Sequence, residues 1–107
     1  NRGNAKIALG DNQGAIADFI KALAINPQNV LAYNNRGYAK YDLGDHQGAI
    51  ADFNKAIEID PEYAFAYRNR GIAKELVGDL KGACADWRKA SSLGNTDAAG
   101  WVNNQCQ

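Results

Sequence analysis

The sequence predicts an all-α fold, a solenoid of antiparallel helical hairpins, and three observations carry that prediction. First, a block recurs every 34 positions: Asn1-Arg2-Gly3, Asn35-Arg36-Gly37 and Asn69-Arg70-Gly71. Leu9-Gly10-Asp11, Leu43-Gly44-Asp45 and Val77-Gly78-Asp79 follow at matching offsets, as do Ala15, Ala49 and Ala83, then Asp18, Asp52 and Asp86, then Phe19, Phe53 and Trp87. Second, apolar residues inside each copy keep helical spacing. Third, Pro and the Gly-Asp pairs stand where helices should stop. A fixed period of this length marks supersecondary units that bury their apolar faces on one another.

Taken in order, residues 1–29 form a truncated first unit that opens inside the repeat and carries the same Leu9-Gly10-Asp11 turn signal. The second unit spans 30–63. Its first helix runs from Val30 to Leu43, Gly44 supplies the left-handed residue that ends it, and Asp45 caps the next helix. That helix, about His46 to Ile59, places Ala49, Ile50, Phe53, Ala56 and Ile57 on one stripe. Asp60-Pro61 closes the unit, because Pro disfavours helix in the residue before it and suits the start of the next. Small Gly37 and Ala49 let the two helices approach, with Tyr33 and Phe53 beside them. The third unit, 64–97, repeats this with Tyr67, Gly71, Ala83 and Trp87, but has Asn95 in the column of Pro27 and Pro61. A last segment, about 96–106, continues the Tyr33 and Tyr67 column with Trp101 and is expected to be a capping helix over the open end. All 107 residues then form a single domain.

Composition excludes several functions. Twelve basic and twelve acidic residues cancel, leaving no overall field to attract nucleic acid or an anionic membrane surface. No apolar run approaches the roughly 18 residues of a membrane span. No signal peptide precedes the repeats, and the lack of an initiator Met suggests a piece of a longer protein. Cys84 and Cys106 are too few for a disulfide framework, so a reducing, cytoplasmic setting is expected. Cys84 shares the column of Ile16 and Ile50 and reads as a buried small hydrophobe. His46 opens a second helix and reads as a surface residue. Neither cysteine has a metal-ligand partner at a recognisable spacing and no phosphate-binding Gly loop occurs, so neither an enzyme nor a cofactor is expected.

Two polar columns remain. Arg2, Arg36 and Arg70 each stand sixteen residues before Asp18, Asp52 and Asp86. An Arg-Asp pair bridging the two helices of a hairpin is one reading; a ligand-facing Arg is the other. Asn1, Asn35, Asn69 and Asn103 share the second register. Around them lie Leu31, Asn34, Tyr38, Tyr41 and Asp42 on one helix, and Phe65, Arg68, Ile72, Glu75 and Leu76 on the next. Mixed amides and aromatics suit a peptide main chain and its side chains, since an amide both donates and accepts. The alternative is that the amides bridge neighbouring first helices.

These residues resemble the tetratricopeptide repeat family, whose pattern of aromatic, Gly, Ala, aromatic and Pro is met by Tyr33, Gly37, Ala49, Phe53 and Pro61. Arg36 and Lys40, with their equivalents Arg2, Lys6, Arg70 and Lys74, depart from the family's usual Leu and Tyr. The resemblance implies a right-handed superhelical solenoid and a protein-interaction module that takes an extended peptide in its concave groove. Asn4, Asn34, Asn35, Tyr38, Tyr41, Phe65, Arg68, Asn69 and Ile72 are the expected peptide-binding residues. Some family members clamp the C-terminal carboxylate of heat-shock chaperones. Asn4 and Asn35 occupy that clamp's Asn places, but Phe65 and Asn69 replace its Lys and Arg. The competing expectation is a spacer or self-assembly segment of a longer array, with the truncated first unit docking on another chain.

Overall fold

Hairpins, caps and packing follow from the punctuation in the sequence. The computed structural model describes Leu9–Cys106, with side chains from Asn12 onward. Among these residues there are six α-helices and no strand: α1 (Leu9–Ile25), α2 (Val30–Asp42), α3 (His46–Ile59), α4 (Ala64–Leu76), α5 (Leu80–Ser92) and α6 (Thr96–Gln105). Each packs on its sequence neighbours, and α2 also touches α4. This nearest-neighbour stacking makes the chain an all-α helical-repeat solenoid.

Gly44, Gly78 and Gly94 adopt φ of 87°, 90° and 102°, the left-handed conformation that lets the chain fold back over the helix end. Asp45 N–H then donates to Lys40 O at 2.9 Å, Asp79 N–H to Lys74 O at 2.8 Å and Asn95 N–H to Ala90 O at 3.0 Å. The residue after each Gly caps the next helix: Asp45, Asp79 and Asn95 accept from the N–H of Gly48, Gly82 and Ala98, each at 2.9 Å. Asn95 thus serves as an N-cap rather than as a stand-in for the Pro column. The expected turn at Leu9-Gly10-Asp11 is absent: these residues lie inside α1. A helix propagates through one Gly at a cost of about 1 kcal/mol.

Phe53 and Trp87 are fully buried, as are Ala49, Ala83 and Ala90. The absent Cβ at Gly37 makes room for Phe53, since a methyl there would lie 2.7 Å from its ring. Gly71 does the same for the Trp87 indole. Tyr67 is buried with its hydroxyl donating to Pro61 O at 2.9 Å, whereas Tyr33 is only half-buried.

The Arg column is structural at Arg36 and Arg70. Arg36 Nε and Nη2 donate to Asp52 at 2.9 and 2.7 Å, and Arg70 repeats the fork on Asp86 at 2.8 and 2.6 Å. Lys40 and Lys74 approach the same carboxylates at 3.2 and 3.3 Å. Both aspartates are 4 % exposed, so the fork binds the two helices of each hairpin together.

Cys84 and Cys106 form a disulfide, with Cα atoms 5.7 Å apart. This corrects the expectation of a free, buried thiol. Counting cysteines argues only against a multi-bridge framework. The tight Gly94 turn brings α6 back along α5, so residues 22 apart in sequence meet. The bridge also removes the sequence argument for a reducing compartment, because such bonds persist in oxidising ones.

Candidate functional site

The first helices α2 and α4 lie side by side and leave a cleft of about 320 Å³ between them, lined by Asn34, Asn35, Tyr38, Tyr63, Phe65, Arg68 and Asn69. Six of the nine expected residues meet there. Tyr41 flanks them, its ring 5.7 Å from that of Tyr38. Ile72 does not line the cleft; it is half-buried against the core around Tyr67 and Trp87. Asn4, like Asn1, Arg2 and Lys6, lies outside the described residues.

The amides do not act as a uniform column. Asn69 Nδ2 donates to Asn34 Oδ1 at 3.2 Å, both residues are 5 % exposed, and Arg68 Nη1 donates to Asn69 Oδ1 at 3.1 Å. Asn34 and Asn69 therefore bridge the two first helices at the cleft floor, which spends much of the hydrogen-bonding capacity assigned to Asn69 for a ligand. Asn35 is half-buried, and its side chain makes no hydrogen bond among the described residues, so its amide can both donate and accept at the cleft edge.

The walls are aromatic. Tyr38 and Phe65 are 44 % and 51 % exposed, large for apolar rings on a folded surface. Tyr63 meets Phe65 edge-on at 5.9 Å. Sequence reasoning missed Tyr63, although a signal existed: it fills the helix-capping register held by Asn29, and α4 has no side-chain cap. An aromatic in a capping place contributes surface where it gives up a hydrogen bond.

Arg68 is the one charged residue lining the cleft among the described residues. Its guanidinium lies 5.6 Å over the Trp101 ring, and its Nε is 3.5 Å from Asp97 Oδ2. That Nε is buried and makes no hydrogen bond, so Asp97 meets its charge but not its donor. Asp97 and Trp101 both sit on α6, and the repeat pattern points to neither as a site residue. Next to the cleft, burial first, then Tyr38, Asp42 and Glu75, raise the pKa of Tyr41. His46 differs from its expected surface role: it is half-buried with its ring 5.7 Å from Tyr41 and its Nδ1 unpartnered.

A second depression of about 460 Å³ runs beside the disulfide, lined by Leu80, Lys81, Arg88 and Gln105 with the two cysteines. It lacks the convergent amides and aromatics of the first. No group of three potential metal ligands occurs among the described residues, and none of their helices is long and apolar enough to cross a membrane.

Residues 30–63 match the family model for the tetratricopeptide repeat, and residues 3–44 match that for the TPR repeat. No curated protein sequence matches the chain. Among solved structures, the Arabidopsis OM64 TPR domain is 32% identical with a TM-score of 0.84, covering 89% of this chain and 80% of that one. The first TPR of Spaghetti (RPAP3), bound to the HSP90 peptide SRMEEVD, is 27% identical with a TM-score of 0.83, covering 89% and 77%. The second TPR domain of human RPAP3, in complex with the HSP70 peptide SGPTIEEVD, is 27% identical with a TM-score of 0.82, covering 92% and 83%.

Proposed function

Because the chain belongs to the tetratricopeptide repeat family, we propose that it is a protein-interaction module whose cleft between α2 and α4 takes an extended peptide segment. The observation that carries this reading is the coincidence of exposed Tyr38 and Phe65 with the uncommitted amide of Asn35 in one cleft. Asn35 pairs with a main-chain amide of the partner and sets its register. Tyr38, Tyr63 and Phe65 enclose an apolar side chain and supply most of the affinity by burial. Solved relatives bound to chaperone peptides support the use of this fold for peptides. Affinity is modest, since ordering a flexible segment costs entropy.

The test is a selection of random peptides on the full chain, followed by fluorescence anisotropy of the enriched sequences. Phe65→Ala with Tyr38→Ala should weaken them by at least about tenfold, from the loss of roughly half a side chain's burial at each ring. Enriched peptides that bind this variant as tightly as the parent would move the interaction surface elsewhere. A second reading, a spacer or self-assembly segment, draws on exposed Leu76, Val77 and Leu80 at the corner between α4 and α5; a concentration-dependent sedimentation coefficient would favour it. As for setting, the disulfide favours an oxidising compartment over the cytoplasmic one inferred from the cysteine count.

A further inference from the structure

We propose that Asp97 is a built-in competitor for Arg68, so that the cleft selects an extended segment without acidic side chains and disfavours an acidic C-terminal tail. This rests on the peptide-cleft reading and specifies its partner class. Arg68 is the one cation lining the cleft among the described residues, and it is already neutralised from within the chain. Asp97 Oδ2 stands 3.5 Å from Nε, Asn69 Oδ1 takes Nη1 at 3.1 Å, and the Trp101 ring supports the guanidinium from 5.6 Å. A ligand carboxylate arriving at Arg68 must displace Asp97 or share the cation with it, and two carboxylates at one guanidinium repel.

The surroundings reinforce this selection. Phe65 occupies one wall with an uncharged ring, and the floor is the neutral Asn34-Asn69 bridge. Past Tyr38 the surface reaches Tyr41, where exposed Glu75 adds negative potential. A carboxylate therefore meets a compensated cation at one end and repulsion at the other. A neutral segment meets amides, rings and an Arg68 whose charge Asp97 already balances.

Asp97 is 63 % exposed on its side chain and sits in the first turn of α6, so Asp97→Asn removes the charge with little loss of packing. The experiment is the same random-peptide selection, run in parallel on the full chain, on Asp97→Asn, and on Asp97→Asn with Arg68→Gln, each with and without Phe65→Ala, with thermal melts to confirm that all are folded. Peptides enriched on the parent should be depleted in Asp and Glu. Asp97→Asn should enrich acidic peptides and bind them about fivefold more tightly than the parent does, the effect of one freed, partly exposed ion pair. Adding Arg68→Gln should abolish that gain. Equal acidic content on the parent and Asp97→Asn, with enrichment still dependent on Phe65, would overturn the role of Asp97 and leave the cleft standing. Absence of any Phe65-dependent enrichment on all three proteins would overturn both readings.

Discussion

Replacing Arg36 by Ala tests whether the repeated Arg-Asp fork is a fastening of the hairpin. Asp52 is 4 % exposed and receives Nε and Nη2 of Arg36 at 2.9 and 2.7 Å. The bond to Asp52 outweighs burial and raises the pKa of the guanidinium, so Arg36 stays charged throughout any practical pH range. Leaving a buried carboxylate wholly unpaired costs about 3–5 kcal/mol. Here Lys40 remains at 3.2 Å and keeps part of the compensation, and Arg36 is 20 % exposed on its side chain, so about 2 kcal/mol is the reasoned loss. In a domain of this size that lowers the melting temperature by roughly 10 °C. Asp52→Ala should cost less, about 1 kcal/mol, because the stranded Arg36 reaches water. Urea unfolding of the two single variants and the double should give a coupling energy of about 1 kcal/mol. The exposed Lys55–Glu58 pair at 3.0 Å is the control, and Lys55→Ala should leave the urea midpoint close to that of the parent. Additive single variants, or an Arg36→Ala cost no larger than the control, would refute the fastening role.

Opening the Cys84–Cys106 bridge with Cys84→Ser and Cys106→Ser frees a 22-residue loop in the unfolded chain and should cost about 3 kcal/mol, read as a lower urea midpoint; alkylation before and after reduction checks that the native bond forms. Gly71→Ala drives a methyl into the Trp87 indole and should destabilise by about 1–3 kcal/mol with altered near-ultraviolet dichroism. Gly100→Ala meets open space inside α6 and should stabilise by about 0.5–1 kcal/mol. Burial raises the Tyr41 and Tyr63 phenols above their ordinary range, each helped by neighbouring carboxylates. Their folded-state pKa exceeds the unfolded value of 10.0, so this contribution is fully present below about pH 10 and is lost as pH rises through the folded value. An ultraviolet titration should show late-ionising phenols, and denaturant unfolding should show stability falling only above that pH.

Helices α2 to α5 were legible because local chemistry and period agree there. Gly44 and Gly78 need positive φ, Asp45 and Asp79 cap α3 and α5, and the Gly37-Phe53 and Gly71-Trp87 pairs require close helices. The same logic failed at Gly10, where the turn signal is present but the helix runs through it. A left-handed Gly is an option the backbone has, and packing decides whether it is taken. It also failed for Cys84. Its column marked it correctly as buried, but burial says nothing about a partner brought round by α6.

At the cleft, the period identified which residues share a face but not which of two adjacent amides meets the next helix. Asn69 meets Asn34 rather than Asn35, an offset of 35 rather than 34 residues, and one residue turns a helical side chain by about 100°. That single step separates a bridging amide from a free one. It turns an expected row of equivalent ligand contacts into a closed floor with Asn35 at its edge. The site residues that sequence reasoning missed are Tyr63, at an aromatic cap position, and Asp97 and Trp101 on α6; Trp101 continues the Tyr33 and Tyr67 column, but that column marks packing and not its contact with Arg68. Repeated columns hold the solenoid together, so each must do the same job in every unit. Discrimination between partners needs an asymmetric surface, and in this chain the asymmetry at Arg68 comes from α6, which places Asp97 and Trp101 against its guanidinium.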